Sequence, residues 1–211
     1  MIAAAQKAGV RRFIHMSALG TRPKANSRYH QSKWAAEEAV RNSGLDWTIF
    51  RPSLIYGPRD HFVNLFAKIS RFSPVVPIMG SGRSKFQPVG VEMVAKAFVG
   101  ALTKPAAIGQ TVDLCGPETF TLGQLLDEIL AVMSCRRLKL CIPLPLARCQ
   151  ARLVELVFRG ILKKPPPLNR DQLIMLEEDN VGNGEPANRL FGLQHRSFRQ
   201  GITAYLGRGQ R

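Results

Sequence analysis

The segments RFIHM (residues 12–16), RYHQSKWAAEEAVRN (28–42) and DWTIF (46–50) decide the fold of this chain. The first and third are short and apolar, which is typical of buried strands. The middle segment has a helix-forming composition and is followed by Gly44, a residue type that commonly ends helices. A strand, a helix and a strand joined by short connections predict two parallel strands with a crossover helix.

The alternation of helices and strands continues on both sides of this unit. Residues 2–8 predict a helix that stops at Gly9. Downstream, the pattern predicts helices over 61–71, 92–102, 121–133, 145–160, 169–179 and 198–206, with Thr121 as an N-cap. Strands are predicted over 75–79, 86–89, 111–115 and 138–142, and residues 181–187 are predicted to form a loop. The order indicates the α/β class, with a parallel sheet flanked by helices.

Composition and charge restrict the kinds of partner. Of the 211 residues, 45% are hydrophobic and 21% charged, which is typical of a globular protein, and no long uninterrupted apolar run predicts a membrane span. The net charge of +15 would suit nucleic acid, anionic lipid or a phosphorylated ligand. We expect no nucleic-acid partner, because no recognisable module with a basic stripe occurs. The four cysteines form no C-x-x-C pair and the histidines have no ligand-like spacing, so we expect no metal site.

Three side chains form a candidate catalytic set. Tyr29 and Lys33 are four residues apart on the predicted helix, so they share one face. Ser17 lies at the carboxyl end of the preceding strand, where ligands bind in open parallel sheets. The next strand ends in RPSLIYGP (51–58), which places a second loop at the same edge. A Tyr-x-x-x-Lys pair alone is a weak motif, and most such pairs simply lie on a surface.

This combination resembles the extended and atypical short-chain dehydrogenase/reductases. Later segments are similar to bacterial relatives of the nucleotide-binding accessory subunit of respiratory complex I: RDHFVN (59–64), FQPV (86–89), CGPE (115–118), PLPL (143–146), NRDQ (169–172) and EDN (178–180). The resemblance extends from about Ile2 to Val181. It implies a partial, Rossmann-type doubly wound parallel sheet, limited to the C-terminal strands and helices, with a small mixed α/β C-terminal substrate lobe.

The resemblance also implies a division of the chain. Residues 1–115 would form the C-terminal part of a Rossmann-like NAD(P)-binding domain, with lobe insertions at about 60–90. Residues 116–206 would form a mostly helical substrate lobe, and residues 207–211 a basic tail.

The family chemistry assigns a role to each site residue. Tyr29 would donate or accept the proton in an alcohol–carbonyl redox step, and Lys33 would lower the pKa of Tyr29 from about 10. Lys33 would also hold the nicotinamide ribose, and Ser17 would orient the substrate oxygen. Tyr29 and the backbone around Pro52 and Ser53 would line the nicotinamide pocket. The cofactor would be NAD or NADP, and the small-molecule substrate is not indicated.

The glycine-rich turn that holds dinucleotide phosphates does not occur in this sequence. No G-x-x-G-x-x-G or G-x-G-x-x-G run is present, and only sixteen residues precede Ser17. We therefore expect Met1 to fall within the crossover helix before the serine strand. A chain that lacks the preceding strands would expose an apolar sheet edge, so we predict poor solubility or partial molten character.

Two functions remain open at this stage. One is an NAD(P)-dependent oxidoreductase or epimerase. The other is a non-catalytic accessory or assembly protein of a respiratory complex or of quinone metabolism, at an anionic membrane surface. The basic amphipathic segment 145–164 would suit an interfacial helix, although such helices usually pack on their own core. We expect a cytoplasmic location, or a peripheral one at the inner face of the membrane (the matrix side in a mitochondrion).

Overall fold

A computed structural model describes residues 1–143, 145–146 and 170–207. The helices of these residues are α1 (Ile2–Lys7), α2 (Arg28–Arg41), α3 (Phe62–Phe72), α4 (Val91–Thr103), α5 (Leu122–Val132), α6 (Arg170–Glu177), α7 (Glu185–Phe191) and α8 (Phe198–Leu206). The strands are β1 (Arg12–Met16), β2 (Asp46–Pro52), β3 (Ile55–Tyr56), β4 (Val75–Met79), β5 (Lys85–Phe86), β6 (Val89–Gly90), β7 (Gln110–Leu114), β8 (Phe120–Thr121) and β9 (Leu138–Ile142).

A three-stranded parallel sheet with the order β1-β2-β7 forms the centre of the fold. In its register Arg12 pairs with Asp46, and Thr48 pairs with Gln110. Helix α2 connects β1 to β2, so the predicted strand–helix–strand unit and the α/β class are confirmed. Three smaller two-stranded sheets pair β3 with β6 and β4 with β9 in parallel, and β5 with β8 in antiparallel orientation.

Two large apolar clusters of the described residues connect these layers. One joins the central sheet to α4 and α7, and it includes Phe50, Ala97 and Phe191. The other joins α3, α5 and α8 to the small sheets, and its fully buried members include Leu125 and Ile202. The sequence predicts α5 from Thr121, and the structure confirms that N-cap with a complete capping box.

The structure differs from the sequence prediction at residues 86–89 and 181–187, and it adds the two-residue strands β3 and β8. The predicted strand 86–89 is two separate strands, because β5 pairs with β8 whereas β6 pairs with β3. The predicted loop 181–187 is wrong at its end, since α7 begins at Glu185. Pro186 suits the first turn of that helix, and Gly192 closes it with a left-handed φ of 60°. The structure describes only residues 145–146 of the predicted helix 145–160; the rest of that segment and the tail residues 208–211 lie outside the described residues.

Candidate functional site

Ser17 follows β1 directly, at the carboxyl end of the central sheet. Its backbone N–H donates to the Phe50 carbonyl of β2 at 2.7 Å, and its hydroxyl oxygen lies 3.3 Å from Thr21 Oγ1. Only 2% of the residue is exposed. Ser17 is therefore held where two parallel strands end, at the edge that binds ligands in sheets of this kind.

Tyr29 and Lys33 lie one turn apart on α2. Ser27 caps this helix by accepting from the His30 N–H, which places Tyr29 in the first turn. Lys33 Nζ donates to the Met16 carbonyl at 2.9 Å and lies 5.6 Å from the centroid of the Tyr29 ring. The structure thus brings the Lys33 ammonium to the residue that precedes Ser17 and to Tyr29 at the same time.

The phenol of Tyr29 differs from the sequence expectation. Burial raises its pKa above the ordinary value of 10.0, whereas the sequence predicts a lowered pKa beside Lys33. Burial alone decides the direction of the shift, and the Lys33 ammonium, which bonds to the Met16 carbonyl, does not reverse it. A phenol with a raised pKa keeps its proton at neutral pH and gives it up less readily, so it is a weaker general acid than a phenol with a lowered pKa.

Pro52 and Ser53 lie at the end of β2, and their backbone polar groups are bonded within the protein. The Ser53 N–H donates to the Leu114 carbonyl at 3.0 Å, and the Pro52 carbonyl accepts from the Leu19 N–H at 2.9 Å. The Ser53 hydroxyl donates to the Asn180 side chain. Ser53 is 7% exposed, so a ligand would meet the edge of this loop rather than unpaired backbone groups.

Glu37 is a component of the site that the sequence argument misses. It continues the four-residue spacing of Tyr29 and Lys33 along α2 and is 0% exposed. Its carboxylate accepts from Arg51 at 2.8 and 2.6 Å and from Arg41 at 2.6 Å. A charged residue on the sheet-facing side of a helix, four residues after a functional Lys, is the sequence signal that would have identified it.

The pKa of Glu37 reports the balance of two opposing influences. Burial, the larger single influence, would raise it, but hydrogen bonds from Arg51, Ser17 and Arg41 together lower the pKa below its ordinary value. Glu37 is therefore an anion at neutral pH, and it links the Ser17 end of the sheet to α2.

The residues present fit one half of a nicotinamide dinucleotide. An ammonium has three N–H donors, and the hydrogen bond of Lys33 to Met16 leaves donors for ribose hydroxyls. Ser17, Pro52 and Ser53 lie at the adjoining strand ends. Residues that would hold the phosphates through a glycine-rich turn do not occur in this sequence.

Two further properties concern the described part of the chain. Across residues 1–143, 145–146 and 170–207, no group of three or more His, Cys, Asp or Glu side chains could hold a metal ion. In the same residues, no helix combines the length and the apolar character that crossing a bilayer requires.

Comparison with known proteins shows similarity to an NAD(P)H-binding family and to a subunit of NADH dehydrogenase. Residues 1–68 match a family model described as NAD(P)H-binding. A curated relative, mitochondrial NADH dehydrogenase (ubiquinone) 1 alpha subcomplex subunit 9 of Arabidopsis thaliana, is 32% identical over 181 residues, which are 85% of this chain and 44% of that protein. Ceramide reductase of Caulobacter vibrioides is 40% identical over 103 residues, covering 48% of this chain and 32% of the reductase.

Solved structures show the same fold. UDP-glucose 4-epimerase of Thermotoga maritima superimposes with a TM-score of 0.73 at 18% identity, covering 98% of this chain and 65% of the epimerase. The chain spans less than half the length of the curated relatives that it matches.

Proposed function

Because this chain belongs to the extended short-chain dehydrogenase/reductase-like proteins, we propose that it contributes the proton-transfer half of an NAD(P)-dependent oxidoreductase or epimerase site. The observation that carries the proposal is the position of Lys33. Its ammonium bonds to the Met16 carbonyl, beside Ser17, and lies one helical turn from Tyr29. Tyr29, Lys33 and Ser17 are the three groups that this chemistry uses.

Each side chain has one task in carbonyl reduction. A bound nicotinamide supplies the hydride that reaches the carbonyl carbon. Tyr29 donates its phenolic proton to the carbonyl oxygen, which becomes the alcohol. Ser17 orients the substrate oxygen with its hydroxyl. Lys33 would hold the ribose hydroxyls of a bound dinucleotide, and Pro52 and Ser53 would border its nicotinamide.

Dinucleotide titration tests this proposal. The fluorescence of NADH, and separately of NADPH, should report saturable binding to the wild-type chain, and the stronger response identifies the cofactor. Lys33→Met should weaken that binding at least tenfold, because a charge-assisted hydrogen bond is lost. Lys24→Met, which removes an exposed ammonium from the same region of sequence, is the matched control. Equal affinity of the two variants, or wild-type chain that binds neither dinucleotide, would overturn the proposal.

A second candidate is a non-catalytic accessory role in a respiratory complex or in quinone metabolism. It is favoured by the burial of Ser17, whose hydroxyl already bonds to Thr21, and by the raised pKa of Tyr29. The similarity to a subunit named for NADH dehydrogenase points the same way. This role places the chain at an anionic membrane surface, cytoplasmic or on the matrix side, where its +15 charge is complementary.

Vesicle flotation separates the two roles. The accessory role predicts binding to phosphatidylserine vesicles that salt reverses, and little binding to phosphatidylcholine vesicles. If the chain bound both vesicle types equally, and if its dinucleotide binding depended on Lys33, the accessory role would be rejected in favour of the enzymatic proposal.

A further inference from the structure

The first two backbone N–H groups of α2 donate to a carboxylate from a distant part of the chain. Asp171 Oδ1 accepts from the Arg28 N–H at 2.7 Å, and its Oδ2 accepts from the Tyr29 N–H at 2.9 Å. The first N–H groups of a helix have no partner within the helix, so a carboxylate there satisfies them and also complements the helix dipole. One side chain of α6 thus holds the backbone of Tyr29 itself.

The same segment fixes the loop that connects Ser17 to Tyr29. Glu178 accepts from both terminal nitrogens of Arg22, at 3.0 and 2.8 Å, and from Asn26 Nδ2 at 3.1 Å. The hydrogen bond from Arg22 is the main reason why the pKa of Glu178 is lowered, so this carboxylate is charged at neutral pH. A bidentate pair of this kind restricts orientation as well as distance.

Asn180 provides a third attachment, between the ends of β1 and β2. Its backbone is anchored to the small sheet, since its N–H donates to Lys85 and its carbonyl accepts from Gln87. Its side-chain oxygen accepts from the Ser53 hydroxyl, and its Nδ2 donates to the Leu19 carbonyl at 3.5 Å. We name residues 170–180 the C-terminal clasp, because they hold three parts of one site.

We propose that the C-terminal clasp positions the catalytic set, with Asp171, Glu178 and Asn180 as positioning residues that fix Tyr29, the Ser17–Tyr29 loop and Ser53. The purpose of this positioning rests on the proposed function, whereas the contacts themselves can be tested without it. The geometry of Tyr29 then depends on a segment more than 140 residues away along the chain.

Backbone hydrogen exchange measured by NMR tests the contact of the C-terminal clasp with the start of α2. In the wild-type chain the amides of Arg28 and Tyr29 should be protected, although first-turn amides usually exchange freely. Asp171→Ala should raise their exchange about tenfold, the factor expected when a charge-assisted hydrogen bond is lost. The Lys33 amide, which lies inside α2, should change less than twofold.

Conservative and distant variants complete the test. Asp171→Asn keeps one oxygen acceptor and should restore protection at one of the two amides. Glu185→Gln removes an exposed ion pair with Arg189 near the same end of the chain and should leave both amides unchanged. The proposal would be overturned if the Arg28 and Tyr29 amides of the wild type exchanged freely. It would also be overturned if the exchange rate of the Lys33 amide rose equally in Asp171→Ala, because that result indicates a general loosening of α2.

A spectroscopic measurement distinguishes a positioning role of Asp171 from a purely structural contact. The phenol carbon of Tyr29, followed by NMR as pH rises, should titrate at lower pH in Asp171→Ala than in wild type, and Asp171→Asn should restore part of the difference. Identical titrations would leave Asp171 as a structural contact and overturn the positioning role. If NADH does not bind but these exchange and titration results hold, the proposed function fails and the clasp stands.

Discussion

Replacing the buried Glu37 with glutamine should destabilise the protein strongly. Glu37 is 0% exposed and receives hydrogen bonds from Arg51 and Arg41, whose side chains are 22% and 26% exposed. Glutamine keeps the volume and one oxygen acceptor, but it leaves Arg51 without its bonded carboxylate and Arg41 with Glu38 as its remaining one. Removing one partner of a buried ion pair typically costs about 3–5 kcal/mol, and we expect about 3 because both guanidinium groups reach solvent. For a chain of this size that corresponds to a fall in Tm of roughly 6–12 °C.

The adjacent residue provides a matched control. Glu38 pairs with the same Arg41 at 2.7 Å, but its side chain is 47% exposed. Glu38→Gln should therefore cost only about 0.2–1 kcal/mol. Thermal melts followed by circular dichroism at pH 7 compare the variants, and equal Tm shifts would refute the reasoning.

The difference in stability between wild type and Glu37→Gln should become smaller as the pH falls. The folded-state pKa of Glu37 is lowered, since hydrogen bonds from Arg51, Ser17 and Arg41 outweigh its burial. The charged carboxylate therefore stabilises the protein fully above its ordinary pKa of 4.5, and this contribution is lost as pH falls through the lower folded value. If the difference in free energy of unfolding between wild type and Glu37→Gln grew as the pH fell, this assignment would be wrong.

Three further changes test other parts of the molecule. Gly116→Ala should prevent normal folding, because its added Cβ would overlap the Pro88 carbonyl oxygen; an unchanged Tm would contradict this. Thr121→Ala should cost about 1 kcal/mol in chemical denaturation, since the capping box with Gln124 is lost, whereas Thr121→Ser should keep most of the stability. Burial and neighbouring carboxylates raise the pKa of Tyr56 to about 12, so absorbance at 295 nm should show its ionisation near that pH. Stability should fall as pH rises from about 10 to 12, because the unfolded tyrosine ionises first.

Local patterns predict the regular elements of this fold well. The bounds of β1, β4, β9 and α8 agree with the sequence prediction, because each combines an apolar run with a clear boundary signal. The two-residue strands β3 and β8 were not predicted, since their pairing depends on partners far away in sequence. Helix α7 was missed because a proline and several polar residues, which indicate a loop when considered alone, form its first turn.

The site shows a similar division between local and tertiary information. The placement of Tyr29 and Lys33 on one helix face follows from their spacing, and the structure shows that arrangement. The direction of the Tyr29 pKa shift was predicted wrongly, because burial and the exact position of the ammonium are tertiary properties. The four-residue spacing after Lys33 singles out Glu37, but nothing local indicates that Arg51 is its partner. Nothing local indicates that Asp171 binds the start of α2 either.

The contact between Asp171 and Tyr29 has a consequence for how the protein folds. It closes a loop of 142 residues, so it forms late relative to the local β1–α2–β2 unit. During synthesis, the helix that carries Tyr29 and Lys33 leaves the ribosome long before Asp171 does. In the nascent chain, the first two N–H groups of α2 therefore lack their carboxylate partner, and the arrangement around Tyr29 is completed only after Asp171 has emerged.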